Sequence, residues 1–370
     1  MNYFFRLIIL LTLLCRLIPA GTQKLPPLES LKELPVEIAA DFLNHDEIAS
    51  PVMPVIAKNG IIFFYDAKLK QVFKTHLDNQ KLTLLSRYGE GPKEYIEILD
   101  MLIDGEFIYM IDSQQKLLCF GLDGVYKWEK RTDIRYDKIF AKKGDTFYLG
   151  GTSDFSNELL QEGVFYWIEG QKRRLVTQLP QLYAETSAYT LNDGKTVKMR
   201  GLLFLAKPVF CVCKDKDMII TSANNQYQFN LLDTNGSVLK TIPVNAPPPG
   251  YNNFQKKFQS IFKNKPYAIF DIFCEPPTII IISNYFKEDK PRVDFFSMEG
   301  ILKKSFLMPV KMNPGTFTST RRGRVAEIAN GFLLYTDPDE VGFRVYKIKP
   351  GEIHHSPDKT GPKRSKKNLL

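Results

Sequence analysis

Histidine is scarce. The 370 residues include four, His45, His76, His354 and His355, and none stands at the i, i+4 spacing that sets two zinc ligands on one helix face. A histidine-based metal site and a Ser-His-Asp triad are therefore unsupported. The Gly-x-Ser-x-Gly elbow that would present a nucleophilic serine is also missing. Long stretches of helical periodicity are lacking, which argues against a helical bundle. Lys and Arg outnumber Asp and Glu by 50 to 41, yet the excess is not gathered onto a folded face with interleaved aromatics. No nucleic-acid partner is expected.

The first twenty residues read as a targeting signal. Arg6 supplies the positive end, residues 7–15 are an apolar run with Thr12 as its one polar member, and Leu17-Ile18-Pro19-Ala20 brings a small residue to a cleavage point. Arg16 interrupts the run short of the roughly 20 apolar residues of a membrane-spanning helix, so cleavage is the expectation and an uncleaved anchor the alternative. Cys15 follows the run as a lipidated cysteine would. Leu14 before it is bulky, where lipoprotein signals carry Gly, Ala or Ser, so lipidation is not expected. The mature chain is then exported, periplasmic or extracellular, and keeps four of the five cysteines. The other end, 351–370, is basic and contains Pro and Gly. Lys359, Lys363, Arg364, Lys366 and Lys367 face Asp358 alone between 356 and 370. It is expected as a disordered tail, and membrane contact would occur at most through it or an N-terminal anchor.

Between these ends one phrase recurs six times. An apolar strand follows a polar turn in Ile61-Ile62-Phe63-Phe64-Tyr65-Asp66, Phe107-Ile108-Tyr109-Met110-Ile111-Asp112, and Thr146-Phe147-Tyr148-Leu149-Gly150-Gly151. It returns in Met218-Ile219-Ile220-Thr221-Ser222, Ile279-Ile280-Ile281-Ile282-Ser283 and Phe332-Leu333-Leu334-Tyr335-Thr336-Asp337. A second hairpin follows each, clearest at Asp123-Gly124, Asn235-Gly236 and Glu299-Gly300, looser around Asp78-Asn79, Glu169-Gly170 and Gly351. Four short strands per unit, repeated at about 45 residues, mark a propeller blade. The fold class expected is all-β, a six-bladed β-propeller of four-stranded antiparallel blades over 21–350. The 27 Phe and 17 Tyr suit such strands. Two insertions stretch the period. Near 183–205 an extra hairpin is expected around Asn192-Asp193-Gly194. Near 245–266, Phe254, Phe258, Ile261 and Phe262 form one helical stripe after Pro247-Pro248-Pro249-Gly250, expected to pack as a lid on a blade.

The segment Arg87-Tyr88-Gly89-Glu90-Gly91-Pro92-Lys93-Glu94-Tyr95 resembles the Gly-x-Gly-Pro-Gly-Glu-aromatic signature of a family of bacterial exported six-bladed propellers, related in shape to NHL and TolB-like propellers. The resemblance implies fold and export, and no activity. Lys93 departs from it where the family usually has Gly. On the residues alone, the segment reads as a tight turn between blades, from which Glu94 and Tyr95 would be able to face a ligand.

Asp66, Asp112 and Asp337 end the second strand in three blades that are consecutive around a ring. A strand-end Asp ordinarily caps its turn. The sharper alternative is a rim cluster that coordinates Ca²⁺ or positions a hydrolytic water. No other cofactor is expected. Cys213 and Cys274 each precede their second strand by five residues, and Cys211 shares a strand face with Cys213. Independent burial is the expectation and a disulfide the alternative. Function is expected to be binding or scaffolding, without catalysis, of an envelope or extracellular protein, peptide or glycan. The alternative is a divalent-ion-dependent hydrolase or lyase that uses the carboxylate rim.

Overall fold

Strands that are apolar on both faces need a sheet on either side, and radial stacking supplies one. The computed structural model describes residues 23–132, 136–153, 161–167, 174–178, 186–190, 196–200, 209–213, 216–222, 227–246, 268–312, 324–336 and 341–349. The segment 1–20, the stripe at 254–262, Asp337 and the tail 351–370 lie outside these. The described residues form six larger sheets, five of four strands and one of five, and a separate two-stranded sheet.

Each blade is an antiparallel meander that starts at the axis. Blade one is Pro51–Ile56, Ile61–Asp66, Gln71–His76 and Thr83–Arg87; blade two is Ile98–Asp104, Phe107–Asp112, Lys116–Gly121 and Tyr126–Arg131. Blade three is Tyr136–Lys143, Thr146–Ser153, Gln161–Trp167 and Arg174–Gln178; blade four begins Val209–Cys213, Met218–Ser222, Gln228–Asp233 and Val238–Asn245. Blade five is Ile269–Glu275, Thr278–Lys287, Lys290–Ser297 and Leu302–Leu307. The innermost strands meet in ring order, and that of blade six, Arg324–Ala329, returns to that of blade one. The second strands carry the cores between blades: Ile62, Phe64, Leu149, Ile219, Ile280 and Leu334 are all fully buried. The strands flanking Asn192-Asp193-Gly194, Thr186–Thr190 and Thr196–Arg200, pair as the separate sheet.

Blade six differs from the sequence expectation, which placed its outer hairpin loosely around Gly351. After Phe332–Thr336 and Phe343–Ile348, the outermost strand is Val36–Asp41 from the other end of the chain, with Ile38 opposite Tyr346. The alternation Leu34, Val36, Ile38, Ala40, Phe42 is the period-two signal that marks this strand. Upstream of it, the same segment runs along two more outer edges. Gln23–Lys24 adds in parallel to blade four as its fifth strand. The Gln23 amide donates to the Gly300 carbonyl and its oxygen accepts the Leu302 amide of blade five. Arg292, buried against Asp294, donates to the Pro26 carbonyl at 2.7 Å. Leu34 and Leu307 then join main chains at 2.8 Å.

The seams are also tied at the axis. Asp100 Oδ2 accepts the Ile139 amide of blade three at 2.9 Å, and Glu327 Oε2 the Ile56 amide of blade one at 2.9 Å. Blades four and five are joined covalently: Cys213 and Cys274 form a disulfide with a Cα–Cα separation of 5.5 Å, within the range a bridge requires. Independent burial of these thiols is thus overturned, because equivalent innermost strands of adjacent blades approach at this point.

Candidate functional site

In a meander that starts at the axis, the turns between second and third strands and the links between blades open on the same face of the ring. Asp66, Asp112 and the loop at 87–95 share that face.

Asp66 is fully buried, and both its oxygens are engaged. Oδ2 accepts the amides of Ala49 (2.7 Å) and Ser50 (2.9 Å), and Oδ1 those of Lys68 (3.0 Å) and Leu69 (2.9 Å). Asp112 repeats the pattern: Oδ2 accepts Ile96 at 3.3 Å, and Oδ1 accepts Gln114 and Lys116 at 2.9 and 2.8 Å. Each carboxylate sews the link entering its blade to the turn after the second strand, through charge-assisted bonds of the stronger kind. N–H dipoles aimed at both oxygens also oppose a cation at the same place. The third expected member, Asp337, lies outside the described residues. Among the described residues no three His, Cys, Asp or Glu are grouped to hold a metal ion.

The loop at 87–95 folds around its own acid. Glu94 Oε2 accepts the Gly91 amide at 3.0 Å, and Oε1 meets Arg87 Nε at 3.2 Å. The Gly91 amide, then Arg87, hold this carboxyl below its usual range. A Cβ on Gly89 would overlap the Glu94 carboxylate, so a side chain there would displace Glu94 from its contacts with Gly91 and Arg87. Tyr95 is buried; its hydroxyl donates to the carbonyls of Lys70 (3.1 Å) and Ser86 (3.4 Å), and its ring packs edge-on to Tyr65. Burial raises its phenol well above the ordinary value. Lys93, where the resembling family has Gly, takes a φ of 66°, the left-handed region that glycine adopts freely. From blade two, Lys116 reaches the carbonyls of Glu94 (3.0 Å) and Gly91 (3.4 Å), while Glu129 accepts the Lys93 amide at 3.1 Å.

The acids and Tyr95 therefore build the loop, and other side chains form its exposed surface. Leu69 and Tyr88 are 42% and 49% exposed. The Lys70 ammonium stands 4.4 Å over the Tyr88 ring, and Lys93 5.5 Å from that of Tyr126. Neither Leu69 nor Tyr88 was singled out from sequence. Their signal is positional: each is a large apolar side chain in a turn or link instead of a strand.

Residues 56–241, half of the chain and blades one to four, match the DUF5128 model of six-bladed β-propellers. The protein belongs to this family. Comparison with curated proteins finds no match. Among solved structures, a DUF4221 family member from Bacteroides vulgatus is 9% identical over 86% of this chain and 99% of that one, with a TM-score of 0.48. Virginiamycin B lyase from Staphylococcus aureus, crystallised with quinupristin, is 11% identical over 85% and 100%, with a TM-score of 0.43. No helix among the described residues is long and apolar enough to cross a membrane.

Proposed function

We propose that this DUF5128 propeller is exported and acts by binding, holding a protein, peptide or glycan on the face that carries the blade links, with Leu69, Lys70 and Tyr88 as contact residues. Its Gly89–Tyr95 segment supports a relation in shape to the NHL- and TolB-like propellers. The observation that carries the binding reading is the commitment of Asp66, Asp112, Glu94 and Tyr95 to main-chain and loop contacts, while the same face exposes Leu69 and a Tyr88 ring that lies under the Lys70 ammonium. N–H donors on a carboxylate lower its basicity and compete with a cation for its oxygens, whereas an amphipathic aromatic suits contact surfaces. The disulfide supports export, since such bridges persist in oxidising compartments, and the N-terminal signal points the same way.

The test is binding of the mature protein to glycan and peptide arrays, in parallel with a Leu69→Ser/Tyr88→Ala double variant. Binding lost in the variant, with its circular dichroism and melting unchanged, supports the reading; equal binding removes this face from it. Melting with EDTA and then with Ca²⁺ examines the alternative. A rise of several degrees on Ca²⁺, abolished by Asp112→Asn, would put the carboxylate rim and hydrolytic chemistry ahead.

A further inference from the structure

The seam between blades four and five contains three cysteines. Cys213 and Cys274 are bridged and Cys211 carries a free thiol. Side chains two apart on a strand point to the same face, so Cys211 and Cys213 both leave the innermost strand of blade four toward blade five. All three belong to one packed cluster with Ile272, Ile279 and Ile281. Cys211 is opposite Ile220 on its own sheet. From blade five it faces the Cys274 main chain and Asp271, the charged group beside it.

We propose that these cysteines form one exchange unit, in which Cys274 pairs with either Cys213 or Cys211, moving the staple two residues along the innermost strand. The step is redox-neutral. The Cys211 thiolate attacks Cys274 Sγ, the Cys274–Cys213 bond breaks as the Cys211–Cys274 bond forms, and Cys213 leaves as a thiolate that takes up the proton Cys211 gave away. Burial, with Asp271 adding to it, pushes the Cys211 thiol up to about 12. The attacking form is therefore rare at neutral pH, and the bridge is held in the Cys213 pairing there. Below about 12 the thiolate fraction, and with it the exchange rate, rises about tenfold per pH unit.

Two arms of disulfide mapping test this. Cys213→Ser protein, oxidised in air and digested without reduction, is expected to yield a Cys211–Cys274 peptide. Folded wild-type protein, held without oxidant or added thiol between pH 7 and 10 and quenched in acid, is expected to accumulate the same peptide about tenfold faster per pH unit, while Cys211→Ser protein does not rearrange. Free Cys211 and Cys274 in a folded Cys213→Ser protein would overturn the proposal. So would a wild-type protein that keeps its original pairing throughout, or new pairs that involve Cys119, which is buried in blade two and reachable through unfolding alone. The wild-type arm decides the matter should the Cys213→Ser protein fail to fold.

Discussion

Lys116 Nζ lies 3.0 Å from the main-chain oxygen of Glu94, so a nearly buried ammonium of blade two grips the loop that enters that blade from blade one. It also lies 3.9 Å from Glu129, which holds the Lys93 amide of the same loop. Replacement by Met keeps the stem and deletes the charge, stranding two carbonyls and an acid. The expected loss is about 1–3 kcal/mol, read as a lower urea midpoint at constant m-value. An unchanged midpoint would mean that water satisfies the loop equally well.

Glu94 predicts a pH dependence. Its folded-state pKa lies below the ordinary 4.5 through the Gly91 amide and then Arg87. The ionised group thus adds stability above 4.5, and that contribution fades as pH falls through the lower folded value. Glu94→Gln lacks this contribution at all pH values. Wild type and variant should differ at pH 6, and the difference should shrink as pH falls below 4.5 in parallel denaturation series. A constant gap across the range would attribute the difference to shape and not to charge.

These residues also show which features are legible in sequence. The six second strands were readable because burial on both faces enforces continuous apolar runs, as in Ile279-Ile280-Ile281-Ile282, and because Asn-Gly and Asp-Gly turns separate them. Turn capping by Asp66 and Asp112 followed from their place at a strand end. The disulfide and the outer strand of blade six were not readable in this way. Both join residues far apart in sequence, and their partners are fixed by ring closure rather than by any local pattern. Lys116 was missed for the opposite reason: a single charge at the head of an apolar strand looks like a solvated end until the neighbouring loop folds over it.

Lys93 sits at a φ of 66°, which costs an ordinary residue about 1–2 kcal/mol. Glycine would relieve this strain and lose an exposed cation–π contact with Tyr126 worth about 0.5–1 kcal/mol. Lys93→Gly should therefore leave stability within about 1 kcal/mol of wild type, whereas β-branched Lys93→Val should fall below both. Equal melting of the two variants would show that the loop takes another conformation in solution.

The bridge and the N-terminal segment hold one seam from opposite sides, the bridge at the axis and Gln23 and Pro26 at the rim. Cys213 and Cys274 are 61 residues apart, and closing a loop of that size removes unfolded-state entropy equivalent to about 4 kcal/mol. Reduction should lower stability by up to that amount, measured by denaturation with and without a dithiol. Deleting residues 23–30 frees the rim side alone. If both ties resist the same opening of blade four from blade five, loss of either leaves the other carrying the seam. The double loss should then exceed the sum of the single losses, and proteolysis of the reduced, truncated protein should begin between blades four and five. Additive losses would mean that the two ends of the seam open independently.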